Sequence, residues 1–190
     1  MLKLLAFSGS LRDKSFNHSI VKVAAEGAQE QGAEVTLIRL SDYIAPLFNE
    51  DDEAETGIPE GAKKLKQLMI ESDGYIIASP EYNSSFSAAL KNAIDWASRK
   101  EEGEKPLQAF AGKTATLMAS SPGALGGIRG LVPLRMLLGN LGMHVLPTQQ
   151  AIGGISELID DNGEVIDPAT IKKLKALGAQ AYRTSLALKN

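Results

Sequence analysis

Short apolar runs alternate along this chain with segments whose apolar residues recur at helical spacing. That alternation constrains the fold more than any other feature. Lys3–Phe7, Val35–Leu40, Tyr75–Ala78 and Thr114–Ala119 read as buried strands. A fifth strand is expected from Val145–Leu146 and Ala151–Ile152, broken around Pro147. Helices are predicted over Asn17–Gln31, Glu60–Glu71, Phe86–Ser98 and Ile128–Leu141, and from Pro168 onward. The clearest has Phe86, Ala89, Leu90, Ala93, Ile94 and Ala97 on one face. Gly32 is placed to stop the first. A strand that returns through a helix pairs in parallel, and a parallel sheet needs helices over both faces.

The fold class expected is therefore α/β, a doubly wound five-stranded parallel sheet. The order 2-1-3-4-5, the flavodoxin-like arrangement, suits this pattern, although alternation alone does not order the strands. With 190 residues and no long linker, residues 1–190 are expected to form a single domain. The net charge of −3 gives no reason to expect nucleic acid or an anionic membrane as partner. The absence of cysteine removes disulfides and thiolate chemistry. Only His18 and His144 could serve a histidine-based metal site or triad, so no metal is expected. His18 is expected to be solvated and His144 structural. Trp96 is expected to pack under its helix. Nothing reads as a signal peptide or membrane span, which points to a cytoplasmic protein. Residues 49–60, NEDDEAETGIPE, are expected to form a solvated surface loop, since they lack the spacing of a calcium loop.

In such a sheet ligands bind beyond the carboxyl ends of the strands, where the order switches. Three specialised loops leave such ends. The first follows the apolar run Leu4–Phe7 and carries Ser8, Gly9, Ser10, Arg12, Ser15 and Asn17 before a helix. Loop amides and a helix N-terminus attract an anion, serine hydroxyls add donors, and Arg12 adds a charged fork, so this loop suits a phosphate. The second, SPEYNSSF at 79–86, stiffens at Pro80, offers the Tyr82 ring to a planar ligand and Asn83 to ring heteroatoms. A plain turn with Ser84 or Ser87 capping the helix explains it equally well on its own. The third, SSPGALGGIRG at 120–130, has enough glycine for its backbone to approach a flat ring, or simply to be a flexible connector. Arg129 reads as a solvated charge at a helix start. No GxGxxG follows the first strand, and no GxSxG occurs. Gly112-Lys113-Thr114 precedes a strand and has Leu107 where a P-loop needs glycine.

Together the three motifs resemble those of the NAD(P)H-dependent FMN reductases, flavodoxin-like enzymes that include quinone, chromate and azo-dye reductases. GSLRDKSFN at 9–17 is similar to the family's GSxRxxSxN phosphate loop, PEYNSSFSAALKNAIDW at 80–96 to its PEYN…LKNAIDW, and SSPGALGGIRG to its SxGxxGG loop. The likeness runs from about Leu4 to Ile152. It implies that Ser10, Arg12, Ser15 and Asn17, with Phe16 beside them, bind the FMN phosphate. Pro80, Glu81, Tyr82 and Asn83 would lie along the isoalloxazine ring, with a backbone amide near Asn83 or Ser84 close to N5. Ser120, Ser121, Pro122 and Gly123 would flank the other side. No protein group is implied as catalytic; Tyr82 and Asn83 would only lie near the ring. The resemblance further implies hydride transfer from NADPH or NADH to flavin N5, then electron transfer to a quinone, flavin, azo compound or metal oxyanion. It implies a homodimer or homotetramer, with contacts in the acidic stretch and the 80–96 region. Many members have Gly and Pro between PEYN and LKN; here stand Ser84, Ser85, Phe86, Ser87 and Ala88, which bears on the shape of the substrate entrance. Two alternatives stay open: a flavodoxin-type electron carrier, and a flavin-binding module that oxidises no NAD(P)H. Arg12 and the mild acidity argue against the carrier.

Overall fold

A computed structural model describes residues 1–189. Five parallel strands form the main sheet: β1 (Lys3–Ser8), β2 (Glu34–Arg39), β3 (Gly74–Ala78), β6 (Thr114–Ser120) and β7 (His144–Ile152). A separate hairpin supplies β4 (Glu81–Tyr82) and β5 (Ser85–Phe86). The sheet order is β2-β1-β3-β6-β7, which is 2-1-3-4-5 among its own strands, the flavodoxin-like order.

The helices are α1 (Phe16–Gln29), α2 (Glu50–Thr56), α3 (Glu60–Glu71), α4 (Ala88–Ala97), α5 (Ile128–Asn140) and α6 (Pro168–Leu188). Alternate residues of the central strands feed two cores. Leu4, Ala6, Ile76, Ala78 and Met118 pack with Ile20, Val21 and Ala24 of α1 and Leu174 and Leu177 of α6. Leu5, Phe7, Ile77, Ala115 and Leu117 pack with Leu65 of α3, Leu90 and Ile94 of α4 and Leu134 of α5. Cover on both faces leaves β3 and β6 buried at every position and β1 buried beyond Lys3, which is why runs such as Leu4–Phe7 and Tyr75–Ala78 are apolar without alternation. Trp96 is buried, and its indole N–H donates to Pro46 O at 2.8 Å.

Three expectations change. Residues 49–60 are not a plain loop: α2 forms there, capped by Asn49 Oδ1, which accepts from Asp51 N at 3.1 Å. Its first turn is all acidic, which suits the positive end of a helix, and Arg99 pairs with Glu53. None of its residues is buried, so no apolar periodicity announced it. The fifth strand is continuous rather than broken. It is the edge strand, where proline's missing N–H costs nothing, and Pro147 falls in an irregularity of register opposite Ala115–Leu117. Arg135 of α5 fills that irregularity, donating to Val145 O (3.3 Å) and Leu146 O (2.6 Å). Finally, the helix predicted from Phe86 starts at Ala88, because Ser85 and Phe86 belong to the hairpin; Ser87 is the cap.

Candidate functional site

The neighbouring strands β1, β3 and β6 end at Ser8, Ala78 and Ser120, so the three singled-out loops leave one edge of the sheet side by side. They enclose a cavity of about 140 Å³ lined by Ser10, Arg12, Ser15, Phe16, Asn17, Pro80, Glu81, Tyr82, Ser120, Ser121 and Pro122. Asn83, Ser84 and Gly123 stand outside this lining. A roomier cavity of about 440 Å³ lies beyond Ser15 and Phe16, but no residue of the second or third loop reaches it.

The first loop is built from hydroxyl turns. Ser8 Oγ accepts from Ser10 N and Ser10 Oγ from Arg12 N, each at 3.2 Å. Ser15, in extended conformation, caps α1 by accepting from His18 N at 3.2 Å. Phe16 and Asn17 are then the first two helical residues, and their N–H groups have no acceptor within the helix. They leave a patch of partial positive charge at the cavity. Arg12 is exposed, forms no ion pair among the described residues, and its guanidinium carbon lies 5.9 Å from the Phe16 ring centre. His18 lies within α1 and is half-buried rather than fully solvated. Burial, with Arg39 and Lys22 nearby, holds its pKa below the ordinary histidine value.

The second loop turns tightly. Tyr82 pairs with Ser85, so Asn83 (φ 52°) and Ser84 (φ 64°) form a two-residue hairpin turn with both residues left-handed. Ser84 therefore holds a conformation that favours glycine. The Tyr82 side chain is 51% exposed at the cavity wall. Glu81 points its carboxylate toward α5, where Oε2 accepts from Arg129 N at 3.0 Å and Gly130 N at 3.2 Å. Arg129 is thus a paired residue at the helix start, with Nη2 2.8 Å from Glu81 Oε1.

In the third loop Ser120 is 3% exposed and its Oγ has no partner, a cost that a bound polar group would remove. Gly123 instead accepts from Gly126 N at 3.1 Å within its own loop.

Polar ties join the loops pairwise, two of them buried. Asn17, only 5% exposed, donates from Nδ2 to Ser120 O (3.1 Å) and accepts at Oδ1 from Ser120 N (3.0 Å), linking first and third loops. Its side chain is committed to that backbone. Ser87 Oγ donates to Gly9 O (2.5 Å) and accepts from Leu90 N (3.1 Å), linking first and second loops. Glu81 links second and third. Ser87 was legible as a helix cap, but its reach to Gly9 carries no signal in the sequence.

The NADPH-dependent FMN reductase family matches residues 2–157. A quinone reductase of Escherichia coli K12 is 34% identical over 175 residues, covering 91% of this chain and 89% of the relative. An NAD(P)H-dependent FMN reductase of Pseudomonas aeruginosa is 35% identical over 167 residues, covering 87% and 85%. Among solved structures, the flavoenzyme NAD(P)H:(acceptor) oxidoreductase FerB of Paracoccus denitrificans superposes with a TM-score of 0.82 at 29% identity, covering 98% of each chain.

Proposed function

The chain belongs to the NADPH-dependent FMN reductase family, and from that premise we propose that it takes reducing equivalents from NADPH or NADH through FMN to a small-molecule acceptor such as a quinone. When bound, FMN supplies the redox chemistry, taking a hydride from the nicotinamide and returning electrons to the acceptor. The protein supplies binding and orientation.

The residues fit that group. The open N-terminus of α1 and the unpaired Arg12 suit a phosphate dianion at one end of the cavity. Phe16 and Asn17 would hold it through backbone N–H groups, and Ser15 through the hydroxyl proton that its capping role leaves free. Ser120 Oγ, buried without a partner, would gain one. Pro80 and Tyr82 on one side and Ser121 and Pro122 on the other would flank a planar ring. The observation that carries the reading is this free helix terminus, cation and orphan hydroxyl meeting in one cavity between three loops.

A homo-oligomer is part of the proposal. Ile128, Val132 and Met136 expose an apolar stripe along α5, extended by Leu125 of the preceding loop, a surface that a second copy would cover. No helix among the described residues is long and apolar enough to cross a membrane. Steady-state assays of the FMN-loaded protein with a benzoquinone test the reading. NAD(P)H oxidation that depends on the quinone supports a reductase; FMN retention without nicotinamide oxidation points to an electron carrier or binding module.

A further inference from the structure

Helix α5 begins without a cap of its own. Its N-cap is Gly127, in the left-handed region (φ 83°, ψ 19°), with no side chain to satisfy the first N–H groups. Glu81 meets that need from another loop. Its two bonds to Arg129 N and Gly130 N place a carboxylate on the positive end of the helix. The Glu81 side chain is only 9% exposed, whereas that of Arg129 is 60% exposed. The ion pair is therefore weak and screened, and the bonds to the backbone dominate.

The hairpin that carries Glu81 needs such an anchor. It has two paired residues per strand, lies outside the main sheet, and turns through Asn83 and Ser84, both at positive φ. A hairpin of this size is not stable alone. It rests on the first turn of α5: a Cβ on Gly130 would sit 3.0 Å from Ser85 O. Tyr82, at the cavity wall, adjoins the anchoring residue directly.

We propose that Glu81 is a positioning residue whose carboxylate docks the Tyr82 hairpin onto α5, so that the second and third loops hold their places around the site as one unit. This rests on the reading of the cavity as the flavin site. Glu81 acts on the ring through the placement of Tyr82 and Asn83.

The test compares the full-length protein with Glu81→Ala, Glu81→Gln and Arg129→Ala, with FMN bound and after its removal. Amide hydrogen exchange reports docking; flavin-fluorescence titration and the acceptor KM against kcat report the consequence. Glu81→Ala is expected to speed exchange at residues 129 and 130 by at least about tenfold. It should also weaken FMN binding about fivefold and raise the acceptor KM more than it lowers kcat. Glu81→Gln retains an acceptor oxygen but loses the charge, so it should speed exchange at residues 129 and 130 by about fivefold, short of the alanine effect. Arg129→Ala keeps both backbone bonds and should change exchange at residue 130 by less than about threefold. Should Glu81→Ala fail to fold, the contrast between Glu81→Gln and Arg129→Ala decides: the larger exchange effect must come from Glu81→Gln, and the reverse order overturns the proposal. Unchanged exchange in the Glu81 variants overturns it, as does faster exchange with unchanged FMN affinity and acceptor KM. Exchange measured without FMN stands apart from the flavin reading, which fails instead if the unaltered protein binds no FMN.

Discussion

Replacing Asn17 with alanine separates two roles for one residue. Resemblance to the family assigns Asn17 to the FMN phosphate; the structure spends its side chain on the Ser120 backbone, with both amide groups engaged at 3.0–3.1 Å in a buried setting. Asn17→Ala removes two neutral hydrogen bonds, about 1 kcal/mol each. It also strands the Ser120 N–H in the interior at a further cost of about 1–2 kcal/mol. The expected loss is thus about 3–4 kcal/mol. At a urea m-value of about 2–3 kcal/mol/M, the unfolding midpoint of the FMN-free protein should fall by about 1–2 M. Asn17→Asp should fall at least as far, because it keeps the acceptor for Ser120 N but turns a second oxygen toward Ser120 O. Urea unfolding followed by circular dichroism, without FMN, reads the effect. A midpoint within about 0.3 M of the parent, together with a large loss of FMN affinity, would refute the tie and restore a direct phosphate contact.

Arg12→Ala should weaken FMN binding by about tenfold to a hundredfold, on the order of 1.5–3 kcal/mol for a charge-assisted contact, the exposure of Arg12 favouring the lower end. Fluorescence titration checks it, and unchanged affinity would remove Arg12 from the phosphate site. Ser84→Gly should raise Tm by about 2–4 °C, since relief of the left-handed strain contributes about 1 kcal/mol; a lower Tm would argue against the observed turn. The depressed pKa of His18 means that the unfolded chain takes up this proton more readily than the folded one. Its contribution is therefore complete above about pH 6.5 and is lost as pH falls from there toward the folded pKa. Urea midpoints between pH 7.5 and 5 should decline less steeply in His18→Gln than in the parent; parallel curves would count against the shift.

The sheet and its loops were legible because β1, β3 and β6 are buried on both faces, with short apolar runs at their centres, and each ends in a marked loop; the 2-1-3-4-5 order then brings those loops together. What escaped lacked a local signal. Helix α2 buries nothing, so no periodicity marks it. The hairpin turns on Asn83-Ser84 without the glycine that flags such turns. The continuity of β7 depends on its edge position and on Arg135 of another element. The ties from Asn17 to Ser120 and from Glu81 to α5 join residues 103 and 48–49 positions apart, and only the folded chain brings them together.

An anaerobic visible spectrum of the FMN-loaded protein, recorded before and after NADPH and then NADH, bears most directly on whether these loops hold a working flavin. Retained oxidised-flavin bands that bleach with at least one donor are the expected result. Bands that neither donor bleaches, or a protein that retains no FMN, would contradict it.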